Sequence, residues 1–227
     1  MTSFLLAQPL YRPILVGVEG LYPVGRWGGK EVDFPQVGYA RFSPGVFVAK
    51  EYYNRKNFIG WFFFGRLAFW RIQEEGMLRT FSSGYASPTL SLHGSVTRWP
   101  QSFSMGVGVV GRVTGSTISF SLPVDIHISS LRYPLYELSF EDGGTFRLQV
   151  GTNTFLGTAI APTAWWKFHP HSQRQWGISV VFPFFTGVAS PITAIWRSAD
   201  GEENKQESAF YLPPTHWAFR LVFSTPP

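Results

Sequence analysis

Ser102-Phe-Ser-Met-Gly-Val-Gly-Val-Val-Gly-Arg-Val-Thr114 and Ile118-Ser-Phe-Ser-Leu-Pro-Val-Asp-Ile-His-Ile128 alternate between two kinds of side chain with a period of two. In the first, Phe103, Met105, Val107, Val109 and Val113 share one face, opposite Ser102, Ser104, Gly106, Gly108, Arg112 and Thr114. In the second, Ile118, Phe120, Leu122, Val124, Ile126 and Ile128 oppose Thr117, Ser119, Ser121, Asp125 and His127. Successive side chains of a β-strand point to opposite sides, so each stretch reads as a strand with one apolar and one polar face. Just upstream, Leu90, Leu92, Gly94 and Val96 alternate with Thr89, Ser91, His93, Ser95 and Thr97. The three read as an antiparallel meander with short turns after Arg98 and after Thr114.

The pattern continues outward. Residues 14–22 read as a first strand and residues 37–53 as a long one bent at Ser43-Pro-Gly45. Residues 58–70 set Ile59, Trp61, Phe63, Leu67 and Phe69 against Gly60, Arg66 and Ala68. Residues 135–141 and 145–152 form a hairpin across Asp142-Gly-Gly144, with Tyr136, Leu138 and Phe140 pairing against Phe146, Leu148 and Val150. Strands at 157–168, 176–186, 192–197 and 217–223 bring the total to about ten to twelve, and the longer loops fall at 23–36, 71–84 and 198–208. No amphipathic helix, fixed repeat or linker interrupts the series, so residues 1–227 read as a single all-β domain.

Composition narrows the class. Apolar residues make up 44% of the chain and aromatics 18%, but charged residues only 15%, against about 25% in an average soluble domain. So much apolar surface excludes disorder. The absence of cysteine excludes a disulfide framework, a cysteine-ligated metal and a thiol nucleophile. The net charge is +5, and 14 of the 19 cations are arginines scattered along the chain, with no basic stripe or nucleic-acid motif; nucleic acid is not an expected partner. No run of apolar residues is long enough for a transmembrane helix, because residues 58–70 are broken by Arg66. The start, Met1-Thr-Ser-Phe-Leu-Leu-Ala-Gln8, lacks the basic region and apolar length of a secretory signal, as expected of a chain that is not exported or of a mature form.

A soluble sandwich solvates its outer face with Lys and Glu, whereas here the polar faces hold Ser, Thr and Gly. Small polar groups suit a crowded lumen, with the apolar face turned to lipid. Aromatics gather near strand ends at Tyr52-Tyr53, Phe69-Trp70, Tyr85, Trp99, Tyr133, Trp165-Trp166, Trp176 and Trp217, as an interfacial girdle requires. In this pattern, over residues 14–223, the chain resembles small bacterial outer-membrane β-barrel proteins, and Trp217-Ala-Phe-Arg-Leu-Val-Phe223 is similar to the terminal strand their assembly machinery reads. The resemblance implies an antiparallel transmembrane β-barrel of about ten strands in the bacterial outer membrane, in contact with membrane lipids. Its implied role is a small channel or transport component, or a structural anchor of an envelope assembly; other envelope proteins or a small solute are its further partners. A soluble β-sandwich or jelly roll, acting as a coat or carbohydrate-recognition module, shares the same period and is the alternative. A lipid-modifying barrel enzyme is third.

Arg66, His93, Arg112, Asp125 and His127 fall on the polar parity, where a barrel uses charge as a cross-lumen plug or to select solutes. A narrow lumen favours the plug. Asp125 and His127 share a row with Ser119 and Ser121, which makes a Ser/His/Asp grouping conceivable. Residues two apart on a strand are about 7 Å apart at Cα, however, and no nucleophile elbow accompanies them, so a structural polar row is the simpler reading. His169 and His171 offer a metal pair without a third ligand nearby, His216 being remote, and no metal or other cofactor is expected. Gly106, Gly108 and Gly111 imitate a dinucleotide motif without its strand-to-helix setting, and read instead as close packing on the inward face.

Overall fold

The computed structural model describes residues 12–23, 43–53, 58–70, 92–96, 101–132, 136–140, 142–151, 153–169, 174–185, 188–212 and 216–225. In chain order these form β1 (Ile14–Pro23), β2 (Ser43–Tyr53), β3 (Ile59–Phe69), β4 (Leu92–Val96), β5 (Gln101–Thr114), β6 (Ile118–Arg132) and β7 (Tyr136–Phe140). They continue as β8 (Thr145–Val150), β9 (Asn153–Ile160), β10 (Thr163–Lys167), β11 (Gln175–Phe185), β12 (Val188–Arg197), β13 (Glu203–Leu212) and β14 (His216–Thr225).

The two quoted stretches, β5 and β6, pair along their whole length from Gln101↔Arg132 to Thr114↔Ser119. From them the sheet closes on itself through β3, β2, β1, β14 and β11 on one side, and β9 and β10 on the other, every pairing antiparallel. β9 and β10 are two halves of one stave. Their partners on β6 run in a single register from Ile118↔Trp166 to Val124↔Ile160, and those on β11 from Gln175↔Lys167 to Phe182↔Ile160. They divide at Ala161-Pro162, where the proline has no N–H to add to the ladder. The barrel therefore closes with eight staves, fewer than the ten expected, because β4, β7, β8, β12 and β13 are not separate staves.

Those five strands continue existing staves beyond the rim. β7 meets β8 in the register that β6 keeps with β9 and β10, since Tyr136↔Leu148 continues the series through Val124↔Ile160. β12 likewise meets β8 in the register of β11 with β9, Ile192↔Val150 continuing Phe182↔Ile160. β4 stands over β5 and β13 over β14, each pairing shifted by one residue from the barrel below. The order β13-β12-β8-β7-β4 thus repeats the barrel order β14-β11-β9/β10-β6-β5. Phe146 of this extension is 1% exposed and packs on Trp196, its cross-strand partner, at 4.4 Å.

This arrangement corrects the meander expected upstream of β5. β4 pairs with β7, and among the described residues not with β5; the expected turn after Arg98 lies outside the described residues. The barrel's own connections then alternate. Those spanning 54–58, 115–117 and 168–174 are short and lie at the end that holds the start of β1 and the finish of β14, while the other end carries 24–42 and all five extension strands.

The expected facing holds around the ring. Val16, Val48, Phe63, Val107, Phe120, Leu156, Ile178 and Phe219, one from each stave, all point outward and are at least 46% exposed. A protein partner covers one patch of a surface, whereas an apolar belt around a whole circumference is matched by lipid. The paired aromatics divide between the two faces because neighbours on a strand alternate. Tyr52, Phe69 and Trp166 face out, but Tyr53, Trp70 and Trp165 are buried inside, which corrects their place in the girdle. Gly111 also departs from expectation: it faces outward, where an added Cβ meets nothing within 4 Å. Residues 37–42, Tyr85, 89–91, Trp99, Tyr133 and His171 lie outside the described residues.

Candidate functional site

The inward positions hold charges that an eight-stave lumen, only wide enough for side chains, must pair. Toward the extended end, β1 places Glu19 between arginines from β3 and β14. Its Oε2 lies 2.5 Å from Arg66 Nε, and its Oε1 accepts from Arg220 Nε at 2.7 Å. Arg220 also lies with Cζ 3.5 Å from the centroid of the Phe47 ring, whose π face offsets part of the second positive charge. Arg66 Nη2 is 3.4 Å from His216 Nε2, and the His216 ring meets Trp70 edge-on at 4.9 Å. Trp70 Nε1 donates to Ser102 Oγ at 3.0 Å, so the network crosses the lumen from β14 to β5.

A second cluster fills the short-turn end. Arg112 Nη1 lies 3.8 Å from Glu51 Oε2, its Nη2 donates to Gln175 Oε1, and the Tyr53 and Trp165 rings flank its guanidinium. Trp165 Nε1 donates to Ser121 Oγ at 2.7 Å. Between the clusters lies a cavity of ≈ 20 Å³ lined by Phe47, Phe62, Glu51, Asp125, Trp165 and Arg220, room for about one water. Arg66, Arg112 and Arg220 balance Glu19, Glu51 and Asp125, so the described lumen carries three charges of each sign.

Four of the five residues expected to line the lumen do so: Arg66, Arg112 and His127 are buried, and Asp125 is nearly so. His93 does not, because β4 pairs with β7 in the extension and places it opposite Ser139, off the barrel wall. Asp125 and His127 make contact despite their spacing, with Oδ1 2.6 Å from Nδ1, and the His127 ring lies 5.9 Å from Phe64. Of the two serines of that row, Ser121 accepts from Trp165 Nε1, while Ser119 Oγ is buried with no hydrogen-bond partner among the described residues, Asp125 and His127 included. His169 and His216 sit at opposite ends of the barrel, and no cluster of metal-ligating side chains occurs among the described residues. Sequence reasoning missed Glu19, Glu51, Gln175, His216 and Arg220. Their inward parity was readable, but the pairing of β1 with β14 that joins Glu19 to Arg220 required closure of the ring.

No family model and no curated protein matches the sequence. Solved structures do. A major outer membrane protein from Thermus thermophilus superposes with a TM-score of 0.50 at 11% identity, over 94% of this chain and 98% of that one. The chain has the fold of the bacterial outer-membrane β-barrels. Neisserial surface protein A (TM-score 0.41, 8% identity, 96% and 97% covered) and the Escherichia coli outer membrane protease OmpT (0.39, 10%, 96% and 96%) are also similar. An outer-membrane barrel of this kind sits in the bacterial outer membrane with its apolar belt in lipid, and stacked aromatic pairs mark one edge of that belt. Tyr52 lies on Trp61 at 4.1 Å, and Trp166 on Trp176 at 4.6 Å, all at the short-turn end. At the opposite edge Trp217 stands beside Tyr22 and meets Phe182 at 5.8 Å.

Proposed function

We propose that this outer-membrane barrel is a closed structural anchor that holds a five-strand extension at the cell surface, and not an open channel. The observation that carries this reading is the crossed lumen: among the described residues Glu19 is clamped between Arg66 and Arg220, and Arg112 is held by Glu51 and Gln175, with a cavity of ≈ 20 Å³ between the two clusters. Short turns at one end and long connections at the other are the asymmetry of barrels whose short turns face the periplasm, which orients the extension outward. Its described tip is polar, with ion pairs Arg197–Glu203 at 3.0 Å and Lys205–Glu207 at 2.5 Å. The second pair raises the Lys205 pKa and lowers that of Glu207, each through the hydrogen bond between them. Such exposed pairs contribute little stability. They suit a surface presented to water or to another envelope component.

Two measurements test this. Reconstituted into a planar bilayer, the barrel gives no stepwise conductance; regular steps in the unchanged protein favour a channel instead. A thiol label on Ser198→Cys, in the turn between β12 and β13, reacts on intact cells, whereas protection from a membrane-impermeant reagent contradicts the orientation.

A further inference from the structure

All 14 acidic residues fall in two places. Glu19, Glu51 and Asp125 face the lumen, and the other eleven belong to the extension or to the connections at its end. The segments that join the staves at the short-turn end contain no Asp or Glu in sequence and hold Arg55, Lys56 and Arg174, while Lys167 ends β10 and Arg12 just precedes β1 at the same end. Lys50 adds to this end from the outer wall. Among the described residues, it and Arg132 at the opposite rim are the only charged side chains on outward-facing positions of the staves. Lys50 is flanked by Ile14 and Phe63, and a charge there is stable only if its stem carries the ammonium to the interface. It does so: Lys50 Nζ lies 5.7 Å from the centroid of Tyr52, two residues nearer the short-turn end. Arg12 Cζ lies 5.7 Å from the same ring, and Trp61 is stacked on it at 4.1 Å.

Two cations thus converge on one interfacial aromatic, at the edge of the apolar belt; Glu51, the carboxylate beside them in sequence, faces the lumen, where it is buried against Arg112. We propose that Arg12, Lys50, Tyr52 and Trp61 seat the phosphate of an anionic phospholipid. The acyl chains run along the outer wall, where Gly65 leaves open space beyond Phe63. Like charges brought together at a membrane surface are stabilised by a lipid phosphate, and each contributes to the preference for anionic lipid. The leaflet, periplasmic, rests on the orientation given above; the site itself does not.

The test uses the full chain refolded in detergent and incubated with equal amounts of phosphatidylglycerol and phosphatidylcholine, the retained lipid being counted by native mass spectrometry. Phosphatidylglycerol is retained roughly tenfold over phosphatidylcholine. The Arg12→Gln/Lys50→Gln variant brings the two to parity, whereas Lys50→Arg and Arg132→Gln keep the preference. Equal retention by the unchanged protein, or a preference that survives the double variant, overturns the proposal. Displacement of the lipid by millimolar inorganic phosphate overturns the lipid source and leaves a free-anion site. Because retention in detergent is independent of orientation, a protected Ser198→Cys label with the preference intact refutes the orientation alone.

Discussion

The Phe62 ring lies against Gly108, its cross-strand partner on β5, and fills the volume a side chain there would take. A Cβ on Gly108 would collide with that ring and with the Val124 carbonyl, and one on Gly106 with Phe64 and His127. The inward glycines therefore let large rings occupy a narrow lumen. Gly108→Ala is expected to cost about 1–3 kcal/mol through forced movement of backbone and ring. Gly65→Ala, outward and open, should stay within about 0.5 kcal/mol. Denaturant unfolding of the two variants in micelles checks the contrast, and equal midpoints would refute the facing.

Glu19→Ala leaves Arg66 and Arg220 buried without their carboxylate, and removing one partner of such a network costs about 3–5 kcal/mol. Adding Arg66→Ala should recover part of the loss, because one uncompensated charge goes with it. Strictly additive losses in the unfolding midpoint would mean that the clamp is not a coupled unit.

On the outer wall the sign of a substitution reverses. Val107→Arg and Phe120→Arg place a cation in the apolar belt, at about 2–4 kcal/mol when near the bilayer midplane. Both should reduce the fraction assembled into membranes, while Val107→Leu leaves it unchanged. Normal assembly of the arginine variants would contradict the lipid-facing assignment.

The barrel closes without its extension, since β11 pairs directly with β14 and β6 with β9 and β10. Replacing residues 188–212 with a short loop should leave a β-rich, monodisperse barrel in detergent. Failure of that variant to refold, by circular dichroism and size exclusion, would show that the extension helps to close the ring.

Local alternation made the strands and their facing legible. From Phe103 to Ile128 every residue assigned to a face lies on it, with Gly111 the one exception, because a periodicity of two is a property of single strands and needs no partner. What alternation does not carry is which strands pair. The stretch around His93 alternates like a stave but belongs to the extension, and Phe146 sits in a hairpin that continues β6 and β9 beyond the rim. Strand number was overestimated for the same reason: one stave crossing the rim reads as two strands with a turn between them. The lumenal charges were half legible. Arg66, Arg112, Asp125 and His127 follow from parity, but Glu19 meets Arg220 only because the first and last strands pair across 201 positions of sequence.

The central claim is that the row of Val107 and Phe120 meets lipid and not a protein core. Circular dichroism with size exclusion, on the chain in plain buffer and after refolding in detergent, tests it most directly. The account predicts a β-rich, monodisperse species only in detergent, with aggregation in buffer. A folded, monodisperse protein in buffer alone would contradict it, since no water-soluble fold leaves this apolar belt uncovered.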